Sequence, residues 1–352
     1  MSNLLDNRLF SIIKKCYDAN FWDFLDHSQL IVIQLPQEKE PIFISTTGKG
    51  TEARGFLVYR GYNQLAYLYQ TLNKTENDEN NLGRQNCLAI YFEDREILSK
   101  EEYQRIKSSN VSFKGQQDWP ILIDYKPGFL PAPYKEDNFL WLINALEKFY
   151  ETAQDFINSL SIFDKEEIIN FTAFIGREYG YDGQYKTKLF EVPRMYRNSA
   201  SSACREGIHP IYLSHFEILR ARQIPVKRTI WELDLHHVYT PTEKSTKDSD
   251  LSRPYYPLLF IVADEATQEL LYMDLITTDD VVTFQRKLVR LFIKNNIRPT
   301  AISIHKKGDF MYAQSYFEKI LKELDIDLHI RESLPVIAYI KEGLNKISLI
   351  EE

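Results

Sequence analysis

The residues from Lys227 to Glu342 constrain the fold more than any other stretch, because they fix an order of elements. They open with Lys-Arg-Thr-Ile-Trp-Glu-Leu-Asp-Leu-His-His at 227–237. Strand alternation puts Ile230, Glu232, Asp234 and His236 on one side of this run and Trp231, Leu233 and Leu235 on the other. The runs Tyr256 to Ala263 and Glu269 to Leu275 flank Asp264 to Gln268 and predict a hairpin. Thr278-Asp-Asp then starts a helix whose apolar face is Val282, Leu288, Val289 and Phe292. A short strand at Thr300 to Ile304, a helix at Tyr312 to Glu323, a strand at Ile326 to Ile330 and a helix at Pro335 to Ile347 complete the series. Three antiparallel strands followed by alternating helix and strand make an α/β module with a mixed sheet.

The N-terminal half gives the same order. After a docking helix within residues 4–26 come strands at Leu30 to Leu35, Ile42 to Thr46 and Gly55 to Arg60, then a helix from Asn63 to Leu72. Asn73 to Asn86 is almost wholly polar and predicts a mobile loop. A strand at Cys87 to Glu93 follows, then a helix capped by Ser99 and Glu102, and an edge strand at Trp119 to Tyr125 around Pro120. A long helix runs from Glu136 to Leu160. The repeated order predicts an internal duplication, with modules at 1–160 and 227–352. Residues 161–226 are expected to form a bridge, with a helix near Lys165 to Asn170, a strand at Lys186 to Val192, a poorly ordered stretch at Asn198 to Ser202 and a helix at His215 to Arg222. The polar insertion Thr240 to Pro254 is expected to be an exposed loop.

At 352 residues, two domains are the default, and 44% hydrophobic with 26% charged residues is ordinary for a soluble globular chain. The net charge of -7 disfavours nucleic acid as the main partner, since phosphate neutralisation needs a concentrated basic face. Cys16, Cys87 and Cys204 form no CxxC pair, so neither a zinc knuckle nor a disulfide framework is indicated, and a reducing cytoplasm fits. The N-terminus has no signal-peptide pattern, and no window approaches the roughly 18 apolar residues of a membrane span.

The order of elements, with Trp231-Glu-Leu-Asp234 on the first strand and Val262-Ala-Asp264 ending the second, resembles a degenerate ribonuclease H-like core of the transposase and integrase kind. In that family clustered carboxylates hold two divalent ions about 4 Å apart around an in-line phosphoryl displacement. Here Ile302-Ser-Ile-His305-Lys-Lys-Gly308 puts His305 where the family has an aspartate, and Glu342 on the last helix is the candidate third acid. The two-part chain is also similar to an uncharacterised bacterial family of paired modules, through Gly55-Phe-Leu-Val-Tyr-Arg-Gly61, Trp119-Pro120, Lys126-Pro-Gly128, Trp231 and Arg298-Pro299. That resemblance implies no activity.

Three functional readings follow. The first is a non-catalytic protein whose cleft or aromatic surface binds a partner that the residues do not identify, a protein being one candidate. The second is a divalent-metal-dependent nuclease or phosphodiesterase, with Asp234, His305 and Glu342 as catalytic residues and Asp234, His236 and His305 as metal ligands. A divalent metal is the sole cofactor the residues suggest. The plain structural alternative makes Asp234 an acceptor for His236 or a basic neighbour. The third reading is a nucleic-acid-binding module using Arg194, Arg197, Arg205, Arg220, Arg222, Lys227 and Arg228. Thr47-Gly-Lys-Gly50 lacks the full phosphate-loop spacing and suits a turn, Tyr59-Arg60-Gly61 suits a strand end with a salt bridge, and the pairs Tyr179/Tyr181 and Tyr255/Tyr256 suit packing or stacking.

Overall fold

The computed structural model describes residues 2–49, 53–72, 85–135, 139–197, 210–238, 253–276, 281–305 and 310–348. The chain divides into two compact units, one of residues 1–127 and 131–199 and one of 128–130 and 200–352.

The first unit opens with helix α1 (Ser2–Asp18), whose Leu9, Ile12, Ile13 and Cys16 recur at helical spacing and are buried. Strands β1 (Ile31–Gln34), β2 (Ile42–Thr47) and β3 (Gly55–Arg60) follow, then α2 (Tyr62–Leu72), β4 (Cys87–Glu93) and α3 (Lys100–Ser108). Ser99 and Glu102 form the expected capping box on α3, Ser99 Oγ accepting from Glu102 N and Glu102 Oε2 from Ser99 N. Next come β5 (Trp119–Tyr125), the two-residue β6 (Ala132–Pro133) and α4 (Leu140–Ile157). The short α5 (Glu166–Ile169), strands β7 (Ala173–Tyr179) and β8 (Tyr185–Glu191), and α6 (Arg194–Arg197) complete the unit.

Its eight strands lie in the order β6-β5-β4-β3-β2-β1-β7-β8. Strands β1 to β5 are an antiparallel meander, and β7 joins β1 in parallel, Val32 beside Gly176. Both faces of β1 to β4 are covered, so these strands read as largely apolar runs. Ile31, Ile33, Ile42, Ile44, Phe56 and Ile90 pack with α1 and α4 on one side; Val32, Phe43, Tyr59, Cys87 and Phe174 pack with α2 on the other. Pro120 is tolerated because β6 pairs only with Ile123 and Asp124, leaving that end of β5 an edge.

The second unit contains α7 (His215–Arg222), β9 (Val226–His237), β10 (Leu258–Asp264), β11 (Glu269–Ile276), α8 (Val281–Asn295), β12 (Arg298–His305), α9 (Phe310–Glu323), β13 (Asp327–Arg331) and α10 (Pro335–Ser348). Its sheet runs β11-β10-β9-β12-β13. Strands β9, β10 and β11 are antiparallel neighbours, while β12 lies parallel to β9 and β13 parallel to β12. Trp231 is the register partner of Ile302, so the first and fourth strands of this unit are neighbours at the centre of its sheet.

The chain is therefore a mixed α/β protein with two mixed sheets, and both halves keep the order of three antiparallel strands followed by alternating helix and strand. Two expectations are corrected. The halves are not copies of one architecture, because the fourth strand of the first unit pairs antiparallel with the third, whereas that of the second pairs parallel with the first. Nor is 161–226 a separate bridge. Residues 173–191 extend the first sheet, and 215–226 supply α7 and the start of β9. The polar loops expected at 73–86 and 240–254, the stretch 198–202 and the start of α8 at Thr278 lie wholly or almost wholly outside the described residues. Among those described, no helix is long and apolar enough to cross a membrane.

Candidate functional site: the polar face of the central strand

Strand β9 has two unlike faces. Trp231, Leu233 and Leu235 enter a core with Phe260, Val262, Phe284, Phe292, Ile302 and Phe317. On the opposite face Glu232 is register partner to Ala263 of β10 and Ser303 of β12, and Asp234 to Ile261 of β10. Helix α10 lies over this face, packing Val336 and Ile337, with Leu334 just before it, on Ile261 and Ala263.

The carboxylates of β9 dock that helix. The residue before α10 is Leu334, whose carbonyl accepts from Ala338 N at 2.8 Å but whose side chain has no acceptor for the earlier N–H groups. Glu232 supplies one from the sheet: its Oε2 accepts the Ile337 N–H at 2.9 Å. About one turn later Lys341 donates to Asp234 Oδ2 in an ion pair. Asp234 thus meets the ammonium of a lysine on its own covering helix. Glu342, the next residue, is exposed.

Glu232 is fully buried, as is Ser303 beside it. Burial pushes the Glu232 carboxyl up, and nearby Glu265 adds to this, against the pull of the Ile337 and Val336 N–H groups and Arg331. Glu232 Oε1 and Ser303 Oγ find no hydrogen-bond partner among the described residues. Because the folded protein holds this proton more tightly than the unfolded chain, the contribution is present below the unfolded carboxyl value of about 4.3 and is lost as pH rises through the folded value. Glu232→Gln mimics the protonated form. Chemical unfolding is expected to show that it loses less stability than the wild type between about pH 4.3 and neutrality. Equal slopes for the two proteins would contradict this reading.

His305 is one residue beyond the pair Ile304 and Leu233, so alternation sets it level with Asp234 on the polar face. Its partner on the other side is Arg331, which forms an ion pair with both oxygens of Glu265 at 3.1 Å. The backbone of His236 lies in β9; its side chain, like that of Arg197, lies outside the described residues, as do Cys204 and Arg205. Among the described residues no group of three or more His, Cys, Asp or Glu stands ready to hold a metal.

Asp264 departs from the role that the resemblance gave it. It is register partner to Trp231 and so faces away from Asp234. It is buried, accepting from Thr229 Oγ1 at 2.8 Å and Trp231 Nε1 at 3.2 Å, and from the N–H groups of Ala266 and Thr267 in the hairpin turn. It ties a strand to its turn.

Residues 7–172 match the model of a domain of unknown function (DUF7309), and residues 217–345 match that of another domain of unknown function (DUF6930). Each half is similar to its own family. No curated protein matches the chain. Strands β7 and β8 fall between the two matches, although they complete the first sheet.

The remaining sequence candidates resolve into local structure. Arg60 makes a two-fold ion pair with Glu38 at 3.1 Å and lies over the Trp141 ring, while Gly61 has φ +85 and donates to Pro41 O. Lys49 reaches the carbonyl of Phe24 at 3.4 Å, and Gly50 lies outside the described residues. Tyr179 is buried against Thr152, whereas Tyr181 is exposed and donates to Pro36 O at 3.1 Å. Tyr256 is buried, and Tyr255 stands beside Phe129. Arg222 pairs with Glu323; Arg194, Arg220, Lys227 and Arg228 are exposed. Cys16 and Cys87 are buried thiols, the latter pushed up to about 12 by burial, so neither is poised as a thiolate.

Sequence reasoning chose Asp234 from this face and passed over Glu232, Ser303, Lys341 and Arg331. Alternation already put Glu232 on the same side as Asp234. What it lacked was the placement of α10 above β9, which decides how each acid is used.

Proposed function

We propose that the second unit is a degenerate ribonuclease H-like scaffold that acts by binding a partner and not by metal-dependent phosphoryl transfer. The parallel pairing of the fourth strand beside the first supports the kinship. The observation that carries the functional part is the Asp234–Lys341 ion pair. A two-ion mechanism needs carboxylates that converge on open cation positions. Here one acid is engaged by a lysine, a second holds the N-terminus of α10, and Asp264 points to the other face.

A metal-dependent phosphodiesterase centred on Asp234 and His305 is the second reading, favoured by their common level on adjacent strands. One assay separates the two. The full chain, incubated with single- and double-stranded nucleic acid and magnesium or manganese, is expected to cleave no faster than its Asp234→Ala variant. Metal-dependent cleavage abolished by that substitution would establish the second reading in place of the first.

A further inference from the structure

Four strands end the two sheets, and an edge strand offers a row of unpaired N–H and C=O groups to any other strand. Three of them carry the usual protection. Strand β6 has two residues, one of them Pro133; β8 carries Lys186 and Lys188; β13 carries Arg331. Strand β11 is different. Glu-Leu-Leu-Tyr-Met-Asp-Leu-Ile holds no lysine, arginine, proline or glycine, and Leu270, Met273 and Leu275 are 44%, 41% and 57% exposed.

Register explains why these side chains are uncovered. Met273 pairs with Ile261 and Leu275 with Leu259, so they stand on the face that α10 covers. Val336 and Ile337 of α10 pack on Ile261 and Ala263 of β10, the strand next to β11. Of the strand's two acids, Glu269 opens it, and Asp274 faces the other way and is held by Lys287 of α8. An irregularity at Leu271 leaves Tyr272 to Ile276 as regular ladder.

We propose that β11 is the site at which a second copy of this chain pairs, antiparallel and across a two-fold axis, joining two five-stranded sheets into one. A two-fold normal to the sheet keeps each face on its own side, so the exposed apolar row meets its own equivalent. Registers centred on Met273, Asp274 or Leu275 fall within the regular ladder, and the last sets the Asp274 carboxylate against the partner's apolar Ile276. The second puts two carboxylates opposite each other, which disfavours it. The first sets Asp274 opposite the partner's Tyr272 and Met273 against the partner's Met273. Tyr272 and Asp274 already form such a donor–acceptor pair within one chain, Oη to Oδ2 at 2.8 Å. This pairing does not depend on how the polar face of β9 is used.

Size-exclusion chromatography with light scattering on the full chain, across a concentration series, tests the proposal. The wild type is expected at twice the chain mass, and Met273→Lys and Leu275→Lys at the chain mass with unchanged far-ultraviolet circular dichroism. Ile330→Lys, at an exposed position on β13, should stay at twice the chain mass. Amide hydrogen exchange of the wild type adds a readout free of substitutions, with protection of residues 272–276 rising with concentration. A wild type that is monomeric throughout, a dimer that survives both β11 lysines, or exchange at 272–276 that ignores concentration would overturn the proposal.

Discussion

Asp264→Ala is expected to lower the unfolding free energy of the protein by about 3–5 kcal/mol, because it strands two buried donors at once. Thr229 Oγ1 and Trp231 Nε1 both end on this carboxylate, and the turn N–H groups of Ala266 and Thr267 lose the same acceptor. Each buried polar group left without a partner costs about 1–3 kcal/mol. Asp264→Asn keeps one acceptor oxygen and should lose less. Urea unfolding measures the difference, and the emission of Trp231, fully buried in the wild type, reports the local change. Losses near zero for Asp264→Ala would mean that the carboxylate is not the anchor of this hairpin.

Gly176→Ala is the second large effect, expected to cost about 3 kcal/mol or more in the first unit. Gly176 is beside Val32 in the parallel pairing of β7 and β1, and a Cβ there would lie 2.0 Å from Val32 O and 2.5 Å from Val32 Cβ. The first contact is with the backbone of β1, and β1 and β7 each have a strand on their other side, so relief requires the two strands to part. Hydrogen exchange should then show faster exchange at 31–34 and 173–179 than elsewhere in that sheet. Wild-type stability in the alanine variant would show that the strands approach less closely than described.

These two positions also show where the sequence was legible. The apolar periods gave the order of elements through both halves, and the Ser99–Glu102 spacing gave the start of α3, because both signals are local. Strand β7 gave little local signal. Gly176 and Arg177 interrupt its apolar run, and its neighbour β1 lies over a hundred residues earlier in the chain. Asp264 sits at the hairpin end, as the resemblance implied, yet the β9–β10 register turns it away from Asp234. A single strand's alternation shows which residues share a face; only the pairing shows which faces of different strands coincide.

The same limit applied to the candidate site. Asp234 and Glu232 were visible as acids on one side of β9, and His305 as a residue on the fourth strand. That a helix from the far end of the chain would bring Lys341 to one acid and a backbone N–H to the other could not be read from spacing, since it depends on α10 crossing above β9.

The central claim is that this polar face is spent on holding α10. Isothermal titration of the full chain with manganese or magnesium tests it most directly. The account predicts no saturable site that distinguishes the wild type from Asp234→Ala. A stoichiometric site present in the wild type and lost in Asp234→Ala would contradict it.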